Sequence, residues 1–512
     1  MERISSFPRT VVLICAVAML TVATGCGSVV VVPPPSSHSG AGGEGGASAS
    51  ASSNSGAGTS TGGASAAGTV VWSRRFGSDS DESLESFAVS PAGNIALVGS
   101  YIHSVDFGGG PLPAAVNKYN YKNVFVVGLD SAGEHVFSHY LEGGEGWDYD
   151  AEPLRDAAFD PQGNIVIAGF HAGEVGFGCS TLDAKSGDMF LAKLDAKGAC
   201  LWSEVFPGKL EKRNIHVAVT PSGEIVVAGI FFGNIDFGGD LLDAPGMKDL
   251  AKGRMFLARF DAEGKHLWSK RFASASVTGV QISVDEGGDA FVGGSFYGKI
   301  DFGGGALTSA SFGDIYLARL DPAGNQVWSK HFGEVGSDDN VITRVAAVSG
   351  GALIVSGAFN GPIDLGAGII KSSKYNVKFL ARFDSDGKHV FSRTFPQDNS
   401  PLPVAYVAAR STGEIAFTGS LDESIGLGGT PLAPEGDWGA DGFVAKYDAM
   451  GHFVWDRALR CEKCPGFVDV VPAFDAQGNL FLAGNFAYTL NVGQPPLVSA
   501  GGRDLFVARL LP

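Results

Sequence analysis

Cys461 and Cys464 stand at the spacing of a redox or zinc pair in CEKCPG, the most direct chemical signal in the chain. Zinc takes four ligands, and no second CxxC follows. A thioredoxin-like pair needs a helix start to activate its thiol, and the sequence around it shows none. A local disulfide or two unpaired thiols remain. Cys179 and Cys200 lie close enough in sequence for a second disulfide, which spacing alone does not establish.

Carboxylates gather in three stretches: GSDSDES from Gly77, LEGGEGWDYDAE from Leu141 and GEVGSDD from Gly333. Two tryptophans, Trp147 and Trp438, fall outside the position that tryptophan otherwise occupies. An aromatic plate beside carboxylates is a common way to hold sugars or cations. The expected ligand face therefore comprises Asp79, Asp81, Glu82, Trp147, Asp148, Asp150, Asp338, Asp339 and Trp438. Calcium would find oxygens in DSDES or DYDAE, but it wants six to eight and neither segment forms a complete loop. No metal or other cofactor is expected.

Other tempting motifs recur too often to be catalytic. DFGG at 106, 236 and 301 contains a kinase triplet without a kinase's lysine strand or catalytic loop. His135, His266, His389 and His452 all follow one kind of turn, whereas a catalytic base is normally unique. The sialidase box SxDxGxxW is absent, the turn here being DxxGxxxW, and no Ser, His and Asp set stands outside the repetition. The expectation is a binding or scaffold module without catalysis. The alternatives are a surface-polymer hydrolase or lyase, which needs its own carboxylate pair, and a calcium-stabilised structural protein.

What positions these residues is a repeat. FLARFDAEGKHLWSKRF at 256 returns as YLARLDPAGNQVWSKHF at 316 and FLARFDSDGKHVFSRTF at 379. The aromatic of that strand falls at Trp72, Phe137, Trp202, Trp268, Trp328, Phe391 and Trp455, at spacings of 65, 65, 66, 60, 63 and 64. Each copy also carries a strand apolar on both faces, such as GNIALVGS or GEIVVAGI, as burial on both sides requires. A weaker strand precedes each glycine turn, as in HVAVTPSG and AAFDPQG. TPSG, DPQG, SPAG and DPAG have the residue preferences of a type I turn, which joins antiparallel neighbours.

Four short antiparallel strands repeated seven times predict an all-β, seven-bladed β-propeller. The folded part begins on the outer strand VVWSRRF at 70 and ends on DLFVARLL at 511, neighbours within every internal copy. The ring is therefore expected to close by pairing its first strand with its last, leaving no open sheet edge.

The pattern DxxGNxxVAG…DFGGG…DxFLARLDxxGxxxWSKxF resembles bacterial seven-bladed β-propeller repeat proteins of the cell surface, including lipoproteins, across residues 70–512. The resemblance implies the fold and an extracytoplasmic location, and little about activity.

The N-terminus agrees with that location. Arg3 and Arg9 precede an apolar run from Val11 to Val22, too short to span a bilayer and of signal-peptide form. Ala23, Thr24, Gly25 and Cys26 resemble a lipobox with alanine in place of the usual leucine, which implies cleavage after residue 25 and lipid on Cys26. Residues 26–68 are Gly-, Ser- and Ala-rich and read as a disordered tether with a reach of roughly 35 Å. Residues 69–512 form the propeller domain. Gly27 is not the aspartate that favours inner-membrane retention, so the outer membrane is the expected address. The net charge is −17, and loss of Glu2, Arg3 and Arg9 with the signal brings it to −18. Such a surface repels nucleic acid and anionic headgroups, so membrane contact is expected through the lipid alone, with a protein or carbohydrate as partner.

Overall fold

The computed structural model describes residues 29–31, 67–115, 122–141, 154–175, 177–179, 182–244, 253–310, 313–334, 340–371, 376–397, 405–435, 441–464 and 468–512. Among them the regular structure is entirely β. The first blade is Ser83–Val89, Ile95–Tyr101, Asn123–Leu129 and His135–Leu141, each strand antiparallel to the next. Six further blades repeat this order from axis to rim. The innermost strands of the second to seventh are Leu154–Phe159, the end of Gly208–Val219, the end of His266–Val284, Val341–Val348, Ala405–Ala409 and Val471–Phe474. Within the segment expected to be a tether, Val29–Val31 pairs with the outer strand of the first blade.

The second strands are buried, Ile95–Tyr101 and Ile415–Leu421 along their whole length, because neighbouring blades cover both faces. The apolar core therefore lies between blades. Phe76 of the seventh packs on Phe107 of the first at 5.4 Å between ring centres, and Phe107 on Phe125 at 4.8 Å.

The repeated polar residues hold turns. Asp106 Oδ1 accepts from Gly108 N at 2.7 Å and Gly110 N at 3.0 Å, so DFGGG is a carboxylate-closed turn between the second and third strands. The third-to-fourth hairpin uses Asp321 and Gly324, with Gly324 N donating to Asp321 O at 2.8 Å. Gly324 has φ +72° and lies against the Trp268 ring of the preceding blade, where any Cβ would collide. The indole N–H of Trp268 donates to Pro322 O at 2.9 Å, and Trp328 makes the same bond to Ser385 O at 2.9 Å.

Val70–Phe76 pairs antiparallel with Asp504–Leu510, and Leu480–Phe486 and Val471–Phe474 complete the seventh blade. The expected closure is observed, and its detail extends to the turn. Gly68 N donates to Leu511 O at 3.2 Å, Leu511 N donates to Thr69 O at 2.9 Å, and Gly68, at φ +74°, lies against the Trp455 ring. Leu511, Pro512, Ala67, Gly68 and Thr69 thus occupy the places of Asp321, Pro322, Ala323, Gly324 and Asn325. The seam is a DPAGN-type turn severed between its second and third residues.

Candidate functional site

The seven innermost strands ring the axis and bond to one another through side chains. Ala347 N donates to Ser283 Oγ at 3.0 Å, and Thr343 Oγ1 donates to Ala405 O. At the ends where the blade connections arrive they enclose a cavity of about 330 Å³. It is lined by strands of six blades, among them Glu85, Asn214, His216, Gln281, Arg344 and Tyr406, with Asp469 at the approach to the seventh. That volume is at the lower end of small-molecule sites.

One register position explains the lining. Each innermost strand places one residue opposite the residue just before the glycine of the second strand. In chain order these are Ser86, Asp156, His216, Gln281, Arg344, Tyr406 and Val471. Seven equivalent backbone sites carry seven different side chains, six of them polar. In the first, second and fifth blades a bulge just before this position adds Glu85, Arg155 and Thr343.

Four of these residues form a chain around the axis. Ser86 Oγ donates to Asp156 Oδ1 at 2.7 Å, and His216 Nδ1 lies 3.2 Å from Asp156 Oδ2. Gln281 Nε2 is 3.1 Å from His216 Nε2. With the Gln281 amide donating, the imidazole carries its proton on Nδ1 and directs it to Asp156. Val217 N adds a bond to Asp156 Oδ2 at 3.1 Å. Burial pushes the Asp156 carboxyl up, but the hydrogen bond from His216, with the charge of Arg344 and the bond from Ser86, outweighs it and holds the group below the usual carboxylate range.

Across the cavity the electrostatics differ. Arg155 pairs with Glu85 at 3.3 Å. The Arg344 guanidinium lies over the Tyr406 ring, 5.8 Å from its centre. Burial, then the Asp469 charge, pushes the Tyr406 phenol up to about 12, and burial raises the Asp469 carboxyl.

No family model and no curated protein matches the chain. Among solved structures it is similar to an ulvan lyase, a polysaccharide lyase, at 11% identity over 84% of this chain and 97% of that one, with a TM-score of 0.41. It is also similar to the β-propeller domain of the Trilobed protease from Pyrococcus furiosus, at 10% identity over 84% and 98%, TM-score 0.40. A gluconolactonase from Xanthomonas campestris follows at 17% identity over 70% and 93%, TM-score 0.30. The shared feature is the fold. One expectation is corrected: a lyase and a lactonase stand among these similar structures. The lack of a Ser, His and Asp set outside the repeat is no argument against turnover, and the reading of the chain as a non-enzyme is withdrawn.

Of the residues expected on a ligand face, Trp147, Asp148, Asp150, Asp338, Asp339 and Trp438 lie outside the described residues. The other three are engaged locally. Asp79 Oδ1 meets His103 Nδ1 at 2.5 Å, and Asp81 Oδ1 accepts from Arg503 N at 2.8 Å. Glu82 is buried, accepting from Ser78 N at 3.0 Å and Ser78 Oγ at 2.6 Å, and burial pushes its carboxyl up to about 7. These acids join the first blade to the seventh. The cysteines pair as Cys179 with Cys200 and Cys461 with Cys464. Among the described residues no three His, Cys, Asp or Glu side chains gather as a metal site. The axial residues escape a search confined to loops and unique motifs. The signal that finds them is one column of the repeat compared across all seven copies.

Proposed function

We propose that this is a lipid-anchored protein of the bacterial cell envelope whose propeller binds a small polar ligand at the mouth of its axial channel. One observation carries the reading: a single backbone position, repeated seven times, carries Ser86, Asp156, His216, Gln281, Arg344, Tyr406 and Val471, and all of these but Asp156 line one shared cavity. A structural role alone would favour one residue type in every blade, as it does for the turn glycines. Lipid on Cys26 and the tether of residues 26–68 place the site outside the cytoplasm in this reading, in the outer membrane because Gly27 is not aspartate.

The test has two parts. The full-length protein is screened against monosaccharides and cell-wall fragments, with Gln281→Leu and Tyr406→Phe as comparisons. Binding that both variants retain unchanged would sink the axial site. Cys26→Ala should release the full-length protein into a soluble fraction, and retention in the membrane would sink the anchor.

A second reading rests on the Asp156–His216 pair. A buried carboxylate that fixes Nδ1–H leaves Nε2 as a base, the arrangement used in general acid–base catalysis. Gln281 covers that nitrogen at 3.1 Å, so a ligand would have to displace its amide. Turnover of a bound ligand that is lost in His216→Ala, while binding persists, would establish it.

A further inference from the structure

Most of the molecule's arginines are committed to protein acceptors. Arg75 pairs with Asp504 at 2.5 Å, Arg319 with Asp289 at 2.7 Å, Arg460 with Asp441 at 2.8 Å and Arg259 with Glu224. These bonds hold strands and turns. Arg344 differs. It lines the axial cavity, and among the described residues its guanidinium makes no hydrogen bond and no ion pair; it lies over the face of Tyr406, and its charge acts on Asp156 without a bond to it. Stacking on an aromatic plane fixes the guanidinium without using its N–H groups, which leaves the fork available. A planar fork of free donors at a cavity wall matches a carboxylate in two parallel bonds.

We infer that the axial site takes a hydroxylated carboxylate of sugar size, a uronic acid or similar sugar acid, with its carboxylate on Arg344. The inference rests on the axial-site reading above and adds the ligand's class. Charge favours a monoanion over a phosphate ester. Arg344 and Arg155 bring two positive charges, while Glu85, Asp156 and Asp469 bring three carboxyl groups to the same end of the channel. A dianion would meet those carboxyls with only one uncommitted cation to offset it. The rest of the lining suits hydroxyls. Asn214, Gln281 and Asp469 offer amide and carboxyl groups, and Leu84, Ile342 and Val471 offer apolar surface for ring C–H groups. An unpaired buried polar group is expensive, so polar walls select a ligand whose own groups match them.

The experiment is calorimetric titration of the full-length protein with D-glucuronate, D-galacturonate, D-glucose, L-glutamate and inorganic phosphate, repeated on Arg344→Gln, Arg344→Lys and Gln281→Leu. Uronates should bind more tightly than glucose and weaken as salt rises. Arg344→Gln should cost uronate affinity about thirtyfold or more, with glucose unaffected, and Arg344→Lys should recover part of the loss. A folding defect would show in the melting curve and weaken all ligands alike, which the Lys variant distinguishes. Glucose binding as tightly as glucuronate and lost in Gln281→Leu would overturn the ligand class and keep the axial site. Uronate binding unchanged in both Arg344→Gln and Gln281→Leu would overturn both. Tighter binding of glutamate or phosphate than of any uronate, or no uronate binding at about 10 mM, would overturn the class.

Discussion

Rim and axis of this ring are built on the same sevenfold backbone, yet they treat sequence in opposite ways. At the rim, a tryptophan or phenylalanine of each blade packs on the glycine of the next blade's turn, and the contact recurs from Trp72 on Gly133 to Trp455 on Gly68. At the axis, equivalent positions hold Ser86, Asp156, His216, Gln281, Arg344, Tyr406 and Val471. The difference follows from what each position faces. A rim residue meets a copy of its neighbour's turn, so the same solution serves seven times. Axial residues meet one another and one common cavity, which a single ligand or a single network can fill with unlike groups.

Three perturbations test this contrast. The largest effect should come from the rim at the seam. Deleting residues 67–76 removes the closing strand, bares the edge of Asp504–Leu510 and uncovers Phe107. A loss on the order of 5 kcal/mol or more, comparable to a domain's whole stability, should appear as a sharply lowered and broadened melting transition. A melting curve unchanged by the deletion would mean that the ring does not depend on its closure.

The axis should be sensitive at Asp156 out of proportion to its size. Asp156→Ala strips acceptors from Ser86, His216 and Val217, at a cost of about 4 kcal/mol. Trp328→Phe, which loses the rim bond to Ser385 O and part of the ring packed on Gly387, should cost about 1 kcal/mol. Chemical denaturation measures both, and equal losses would erase the contrast.

A smaller effect is expected from Glu82, between the two regions. Its folded carboxyl titrates at about 7 against 4.5 unfolded, so the native state holds the proton more tightly. The associated stability is fully present below pH 4.5 and is lost as pH rises through 7, by up to about 3 kcal/mol. Glu82→Gln keeps a neutral group and should flatten this decline. Wild-type and variant melting temperatures that run parallel from pH 4.5 to 8 would show that Glu82 does not titrate in this window.

The blades, their number and their closure were legible because they rest on local signals that repeat: Trp72 to Trp455 count the blades, and SPAG or DPAG mark the turns. The candidate site was less legible for the same reason. Its residues lie on the weakest strand of each copy, where the pattern varies most and a variable position reads as an undemanding one. His216 and Gln281 lie 65 residues apart, and nothing local relates them until the ring brings their nitrogens to 3.1 Å. Asp79 and Asp81 are legible only in part: their acidity suggests a surface for a partner, and the fold adds His103 and Arg503 beside them.

The severed turn at the seam sets the unit of sequence one strand out of step with the unit of structure. Each copy in the chain runs from an outer strand through the next blade's inner three, and the two halves of the cut turn, Leu511–Pro512 and Ala67–Gly68, are its boundary marks. Gene duplication acts on the sequence unit. Adding or removing one whole copy leaves both half-turns at the ends of the array, still complementary in register. The closing turn is therefore of the same kind as the turn inside every other blade, and each copy supplies the axis with one column residue.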